Sequence, residues 1–386
     1  MFNGLTSLRV KNNSAPQSRR PTFTRLLEIL GSNPQLESLT LVNCLPHPLS
    51  DYHPGQPTVL LPMLTALHLE GEAVSCSLLL SSLSVPPTTA LKLKSSASKS
   101  SHFTSLFASA KNLGISTPVL CLEISGSWAE VTLKGCEHSL SSSHLTLGEI
   151  ATTQGVIRLR SNRTPHIEIC LGLSEPTTGL ADIVLTEGFS VMDLTCLEEI
   201  ISHNVVSTST GAIKESWWRS LFDKWQGVRT LTVLGSGCFE LLYTLGMGVE
   251  TTKTGPGGST TTTADSSSRP NPTPDSRTGK PTLLPNLRTL VIEDADLEAY
   301  SYRTSTSHNP ITFLNLLVKI LQWRKKIGKG VKTLVLEICR HIDQDDVDRI
   351  GKTVRVVKWD GDNCAEDESD EDDHDYSDEG FYGYGY

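Results

Sequence analysis

Aromatic residues are scarce, at 6% of 386 positions, and nowhere does the sequence run for about 20 consecutive apolar residues, the length a helix needs to cross a bilayer. Its best apolar helix, around residues 311–323, is broken by Asn315, Lys319 and Gln322. The first twenty residues lack the uninterrupted apolar core of a secretory signal, because Asn3, Gly4, Arg9 and Lys11 divide them. Glycine follows no triplet period, which excludes collagen. Lysine and arginine are absent after Lys358, whereas residues 360–379 hold 12 Asp or Glu. Setting that stretch aside leaves 34 basic residues against 31 acidic ones. The net charge of −9 therefore belongs to one acidic appendage on a near-neutral body, and neither part advertises a nucleic-acid surface.

Motifs of chemistry are missing as well. There is no phosphate loop, nucleophile elbow, H-E-x-x-H or paired C-x-x-C. The nine cysteines are an odd number spread along a long chain, which reads as reduced thiols and an intracellular protein, cytoplasmic or nuclear. Cys136, His138 and His144 have no fourth ligand in register, and Gly235 with Gly237 supply two glycines of a three-glycine dinucleotide turn. Trp217, Trp218 and Trp225 share helical spacing with Leu221 and Phe222, as core aromatics do. Asp343, Asp345, Asp346 and Asp348 lack the glycine and terminal glutamate of a calcium loop and fit the acid-favouring start of a helix. No catalytic, cofactor-binding or metal-ligating residue is assigned.

What is present is a phrase: apolar, two residues, apolar, one residue, apolar. It occurs at Leu5, Leu8, Val10; Leu36, Leu39, Leu41; Leu64, Leu67, Leu69; Val119, Leu122, Ile124; and Leu180, Ile183, Leu185. It returns at Val228, Leu231, Val233; Leu287, Leu290, Ile292; Val331, Leu334, Leu336; and Val354, Val357, Trp359. Weaker copies are Leu91 with Leu93, Ile157 with Leu159 and Ile167 with Ile169. Residues two apart in a strand share a face, so each copy predicts a short half-buried strand. Helical stripes lie between copies: Phe23, Leu26, Leu27 and Leu30, closed by Gly31 and Pro34, and Ile311, Leu314, Leu317, Val318 and Leu321. The second is expected to start at Asn309 and Pro310 and to end on Arg324, Lys325 and Lys326, where cations favour the helix dipole.

Strand, helix, strand at this spacing calls for parallel pairing with helices on one face. A doubly wound sheet also alternates strands and helices, but it does not require the same phrase each time. Successive central residues 8, 39, 67, 91 and 122 bracket the length of a leucine-rich repeat, and Asn13, Cys44 and Cys339 stand where such a repeat turns a polar or thiol side chain inward. The expected fold is α/β: an irregular leucine-rich-repeat solenoid over residues 1–250 and 282–362. Residues 251–281, which contain no Val, Ile, Leu, Met, Phe, Trp or Tyr, are expected as a disordered insertion, and 363–386 as a disordered acidic tail. Ser369 and Ser377, set among acids, suit acidophilic kinases.

The runs at 26–46, 61–71, 76–93, 331–347 and 354–361, in this order, resemble the repeat region of fungal F-box and leucine-rich-repeat-like proteins. The resemblance implies a substrate receptor of a cullin-type ubiquitin ligase, in which an F-box of three short helices grips a Skp adaptor and the repeats hold a target. No F-box precedes Leu5, so a Skp adaptor is expected only if that segment is missing from the chain, and the alternative is a stand-alone repeat scaffold or a truncated gene product. What carries over is target binding by outward strand residues: Ser38, Thr40, Thr65, His68, Arg288, Thr289, Lys332 and Thr333. The expected partner is a target protein, with neither nucleic acid nor membrane.

Overall fold

The computed structural model describes residues 4–12, 20–46, 58–99, 101–126, 130–136, 148–152, 155–159, 166–173, 187–203, 215–235, 238–246, 282–299 and 311–361. The insertion 251–281, the tail 363–386, the copy at Leu180, and Asn13, Asn309 and Pro310 lie outside them. The strands are β1 (Ser7–Lys11), β2 (Ser38–Val42), β3 (Val59–Leu60), β4 (Ala66–Glu72), β5 (Leu83–Ser84), β6 (Ala90–Ala97), β7 (Cys121–Gly126) and β8 (Glu130–Cys136). They continue as β9 (Gly148–Thr152), β10 (Gly155–Leu159), β11 (Ile167–Leu173), β12 (Glu199–His203), β13 (Thr230–Leu234), β14 (Thr289–Glu293), β15 (Thr333–Glu337) and β16 (Val356–Trp359). The helices are α1 (Phe23–Gly31), α2 (Ala73–Ser81), α3 (Ser101–Asn112), α4 (Glu215–Lys224), α5 (Cys238–Leu245), α6 (Phe313–Lys326) and α7 (Gln344–Gly351).

Twelve strands make one long sheet in the order β1-β2-β4-β6-β11-β8-β7-β12-β13-β14-β15-β16. The repeated phrase sets its register. Leu8, Leu39, Leu67, Leu91 and Ile167 stand side by side on five neighbouring strands. Leu122, Ile200, Leu231, Leu290, Leu334 and Val357 do the same on six others. The inward residues of these strands and the buried faces of all seven described helices join one hydrophobic cluster. The fold is mixed α/β with one long, mostly parallel sheet, and the described helices bury into this one cluster.

Two expectations need correction. Pairing is not parallel throughout: β8 runs antiparallel to both β7 and β11. Only residues 127–129 separate β7 from β8, and so short a connection permits only an antiparallel return. Nor does the strand of Leu122 sit next to that of Leu91. The chain first makes the small antiparallel pair β9–β10, then comes back as β11 and slots in beside β6. At the ends of the sheet the phrase is only half buried. Leu8 is partly exposed, Val10 is 40% exposed, and Val357 and Trp359 are partly buried, because an edge strand has a neighbour on one side alone.

Helices begin where a side chain can accept an otherwise unpaired amide. Thr22 accepts from the Arg25 N–H at the start of α1, Thr312 from Asn315 at α6, and Asp343 from Asp346 at α7. Thr312 thus takes the capping position expected of Asn309. The Asp343 cluster opens a helix, with Asp345 and Asp346 in its first turn. Arg324 is the larger surprise. It lies in the last turn of α6 as expected, yet it is fully buried and its guanidinium donates to the carbonyls of Leu283 (2.9 Å) and Leu284 (2.7 Å). Burial lowers its pKa to about 10, so it stays charged at neutral pH and pins the turn that leads into β14.

Four strands leave the sheet in the same way. The fourth residue after Leu39, Leu231, Leu290 and Leu334 is left-handed: Asn43 (φ 53°), Gly235 (φ 75°), Asp294 (φ 53°) and Ile338 (φ 54°). This reversal turns the following residue into the core, where Cys44, Ala295 and Cys339 are buried. The two thiols point at carbonyls of the preceding strand, Cys44 at Val10 and Cys339 at Ile292, each at 3.6 Å. Ile338 is a costly residue there, and Asp360 braces it by accepting its N–H at 2.6 Å.

Leu231→Ala is expected to cost about 2–5 kcal/mol in urea unfolding, whereas Val10→Ala at the exposed edge costs under ~0.5 kcal/mol. Arg324→Ala strands two buried carbonyls and should cost about 3 kcal/mol. Arg324→Lys is expected to recover less than half of that, since an ammonium cannot span both acceptors with the fork geometry of a guanidinium.

Candidate functional site

With one face of the sheet sealed on the core, alternation sends the intervening side chains to the opposite face. One row of that face follows directly from the register: Arg9, Thr40, His68, Lys92, Glu168, Lys134, Glu123, Ile201, Thr232, Val291, Val335 and Lys358. It changes character midway. Across β6, β11, β8 and β7 the charges alternate. Lys92 Nζ meets Glu168 Oε2 at 2.7 Å, and Lys134 Nζ meets Glu123 Oε1 at 2.7 Å. His203 Nε2 lies 3.7 Å from the same Glu123 oxygen, and Lys94 approaches Glu70 at 3.7 Å. These partly exposed pairs contribute on the order of 0.2–1 kcal/mol each, so their weight is in fixing register and presenting an ordered charge pattern. Across β12, β13 and β14 the row is closed: Ile201 is 2% exposed, Thr232 0% and Val291 7%; it opens again at half-buried Val335 and exposed Lys358.

The eight residues expected to bind a target fall into two groups. Ser38 and Thr40 on β2, with Thr65 and His68 at β4, lie toward one end; Arg288 and Thr289 at β14, with Lys332 and Thr333 at β15, lie toward the other. Seven strand steps separate β4 from β14, roughly 34 Å at the usual interstrand spacing. They share a surface but not a site. Thr65 is also partly used by the fold, its hydroxyl donating to the Glu37 carbonyl at 2.9 Å. Ser38, Thr40, Thr289 and Thr333 are half-buried, and Arg288 and Lys332 are exposed at the strand starts.

His68 has the most distinctive environment of the eight. Its Nε2 is buried without a hydrogen-bond partner, and burial first, then the Lys92 ammonium on the next strand, depress its pKa below the ordinary 6.5. The neutral ring is the form the face accommodates. The charge ladder beside it escaped sequence reading. Lys92 and Glu168 are 76 residues apart and meet only because β11 inserts next to β6. Alternating lysine and glutamate within the repeated phrase is the one signal that could have suggested it.

At four buried cysteines the surroundings oppose thiol chemistry. Burial pushes Cys76 and Cys339 up to about 12 and raises Cys44. Cys121 is raised strongly, by burial and then by Glu199 beside it. Cys136 lies opposite Cys121 in the β7–β8 hairpin, while His138 and His144 fall outside the described residues. Among the described residues no group of three or more His, Cys, Asp or Glu side chains is placed to hold a metal, and no helix is long and apolar enough to cross a membrane. Trp218 and Trp225 are core residues alongside Phe222; the Trp217 side chain is not among those described.

Compared with family models, curated proteins and solved structures, the chain matches none.

A group whose folded-state pKa is depressed below its unfolded value releases its proton on folding, so stability is full above that unfolded value and falls as pH drops through it. For His68 the loss begins near pH 6.5 and extends below. Thermal melts of the wild type and of His68→Gln, compared from pH 7.5 to 5.5, are expected to show the wild type losing the more stability on acidification. A pH-independent difference would contradict this account of the site.

Proposed function

We propose that this protein is a non-catalytic protein-binding module that holds a target against the outward face of its sheet, as the target-recognition repeats of an F-box receptor do. The observation that carries the reading is the run of alternating, partly exposed charges that the shared register lines up across β6, β11, β8 and β7. A rigid sheet anchored by a continuous core holds such side chains at fixed spacing, and little ordering entropy remains to be lost on binding. The leucine-rich-repeat solenoid belongs to the same proposal. Recurrence of the phrase, a shared register and the common left-handed exit after Leu39, Leu231, Leu290 and Leu334 support it.

The link to a ubiquitin ligase rests on sequence resemblance. No residue here matches the adaptor-gripping helices, so the ligase reading and that of a stand-alone scaffold are separated by partners.

Affinity purification with the full chain tests both levels. Lys92→Glu with Lys134→Glu inverts the ladder and is expected to reduce recovery of the bound target at least tenfold, while Lys111→Glu on α3 leaves it unchanged. Equal losses with both variants, or none with either, would overturn the outward-face reading. Stoichiometric Skp adaptor and cullin subunits in the eluate would establish the ligase connection, and their absence alongside a face-dependent target would establish the scaffold.

A further inference from the structure

The strands β13 to β16 begin on a line of cations. The residues just before Thr230, Thr289, Thr333 and Val356, which are in register, are Arg229, Arg288, Lys332 and Arg355, and all four are exposed. The backbone ladder runs through them: Arg288 N–H donates to the Arg229 carbonyl at 2.8 Å, and Lys332 N–H to Arg288 at 2.7 Å. Neighbouring members are therefore about one interstrand spacing apart, roughly 4.8 Å at the backbone. Glu198 closes one end through its 3.4 Å bridge to Arg229. At the other end the termini of α6 and α7 add more positive charge. Lys325, Lys326, Lys329 and Lys352 are exposed, and Lys325 Nζ reaches the Lys352 carbonyl at 3.0 Å, which brings the two helix ends together. Stretches 282–292, 322–336 and 351–359, which build this rim, contain eight exposed Lys or Arg besides the buried Arg324, and no Asp or Glu. So many unbalanced cations on one edge are unusual in a body whose charges otherwise nearly cancel, and they lower their free energy by acquiring counter-charge.

The same chain carries that counter-charge at a short tether. The acidic residues between 360 and 379 follow directly on β16, itself a strand of this rim. From the end of β16 back to Arg355 is about 15 Å along the strand, and the 25 residues of 362–386 reach up to about 80 Å when extended. Tethering of this kind supplies an effective concentration in the millimolar range. We propose that residues 366–379 fold back in cis onto the cationic rim of Arg288, Lys329, Lys332, Lys352 and Arg355 and act as an internal ligand. An acidic segment of any partner then has to displace them, and phosphate on Ser369 or Ser377 strengthens the internal contact. This inference does not depend on the identity or existence of a target for the outward sheet face.

The test is zero-length carbodiimide cross-linking of the full chain at low ionic strength, using an equal mixture of ¹⁴N and ¹⁵N copies and mapping the links by mass spectrometry. Links are expected between Asp or Glu of 366–379 and Lys325, Lys326, Lys329, Lys332 or Lys352, within one isotopic copy and at least fivefold above those to Lys111 on α3. They should drop about fivefold or more at ~0.5 M salt, where screening shortens to a few ångströms. The exposed triple variant Lys326→Glu, Lys329→Glu, Lys332→Glu should reduce them as far at Lys325 and Lys352, with an unchanged melting temperature to show that it folds. Links spread evenly over all lysines, links insensitive to salt and to the triple variant, or links that join ¹⁴N to ¹⁵N chains and so assign the rim to a second copy, would each overturn the proposal.

Discussion

A five-residue strand with two inward apolar side chains cannot hold itself together in water, because the entropy of ordering it exceeds what those two side chains recover by burial. That constraint governs the whole molecule. Each copy of the phrase has to lie in register with another, and each pair has to be roofed by a helix stripe before its leucines leave solvent. Leu39, Leu67, Leu231, Leu290 and Leu334 satisfy it together, buried in one cluster that includes side chains from every described helix. Where a neighbour is lacking, at β1 and β16, the same phrase stays half exposed.

Sealing one face is also what creates the other. Once the inward positions are committed, the residues between them are held in straight rows, and their chemistry is free to vary. The β6-β11-β8-β7 segment uses that freedom for alternating charge, and the β12-β13-β14 segment for a closed apolar and hydroxyl row. The rim at the strand starts uses it for cations, and the strand ends carry Glu293, Glu337, Asp294 and Asp360. The surface is thus graded both along the sheet and across it. A gradient of this kind orients a charged partner before contact, which favours specificity and association rate over raw affinity.

The sequence made the strands with a regular phrase legible, because period and burial coincide there: Leu36, Leu39 and Leu41 are all inward, as are Leu287, Leu290 and Ile292. The α1 stripe and the two inward thiols were equally readable, since each depends on neighbours close in sequence or on a fixed offset from a strand. What local pattern could not show was long-range. The insertion of β11 between β6 and β8 is decided by a hairpin whose connection is three residues long and by a return after residues 148–159, so the partners of Lys92 and Lys134 were hidden. The partners of Arg324 were hidden for a similar reason. Its place in the last turn of the helix was readable, but Leu283 and Leu284 are about 40 residues away and only the folded turn brings their carbonyls within reach. Of the candidate face, the polar character of Thr40 and Thr289 could be read; the distance between their two groups could not.

The central claim is that one continuous interior runs beneath all twelve strands, including the antiparallel interruption. Native-state hydrogen exchange tests it most directly, because amide protection reports how each strand shares in the common core. Protection should rise from β1 and β16 inward and stay high without a break through β6, β11, β8, β7 and β12. Rapid exchange in β11, β8 and β7 between two separately protected blocks would contradict the account.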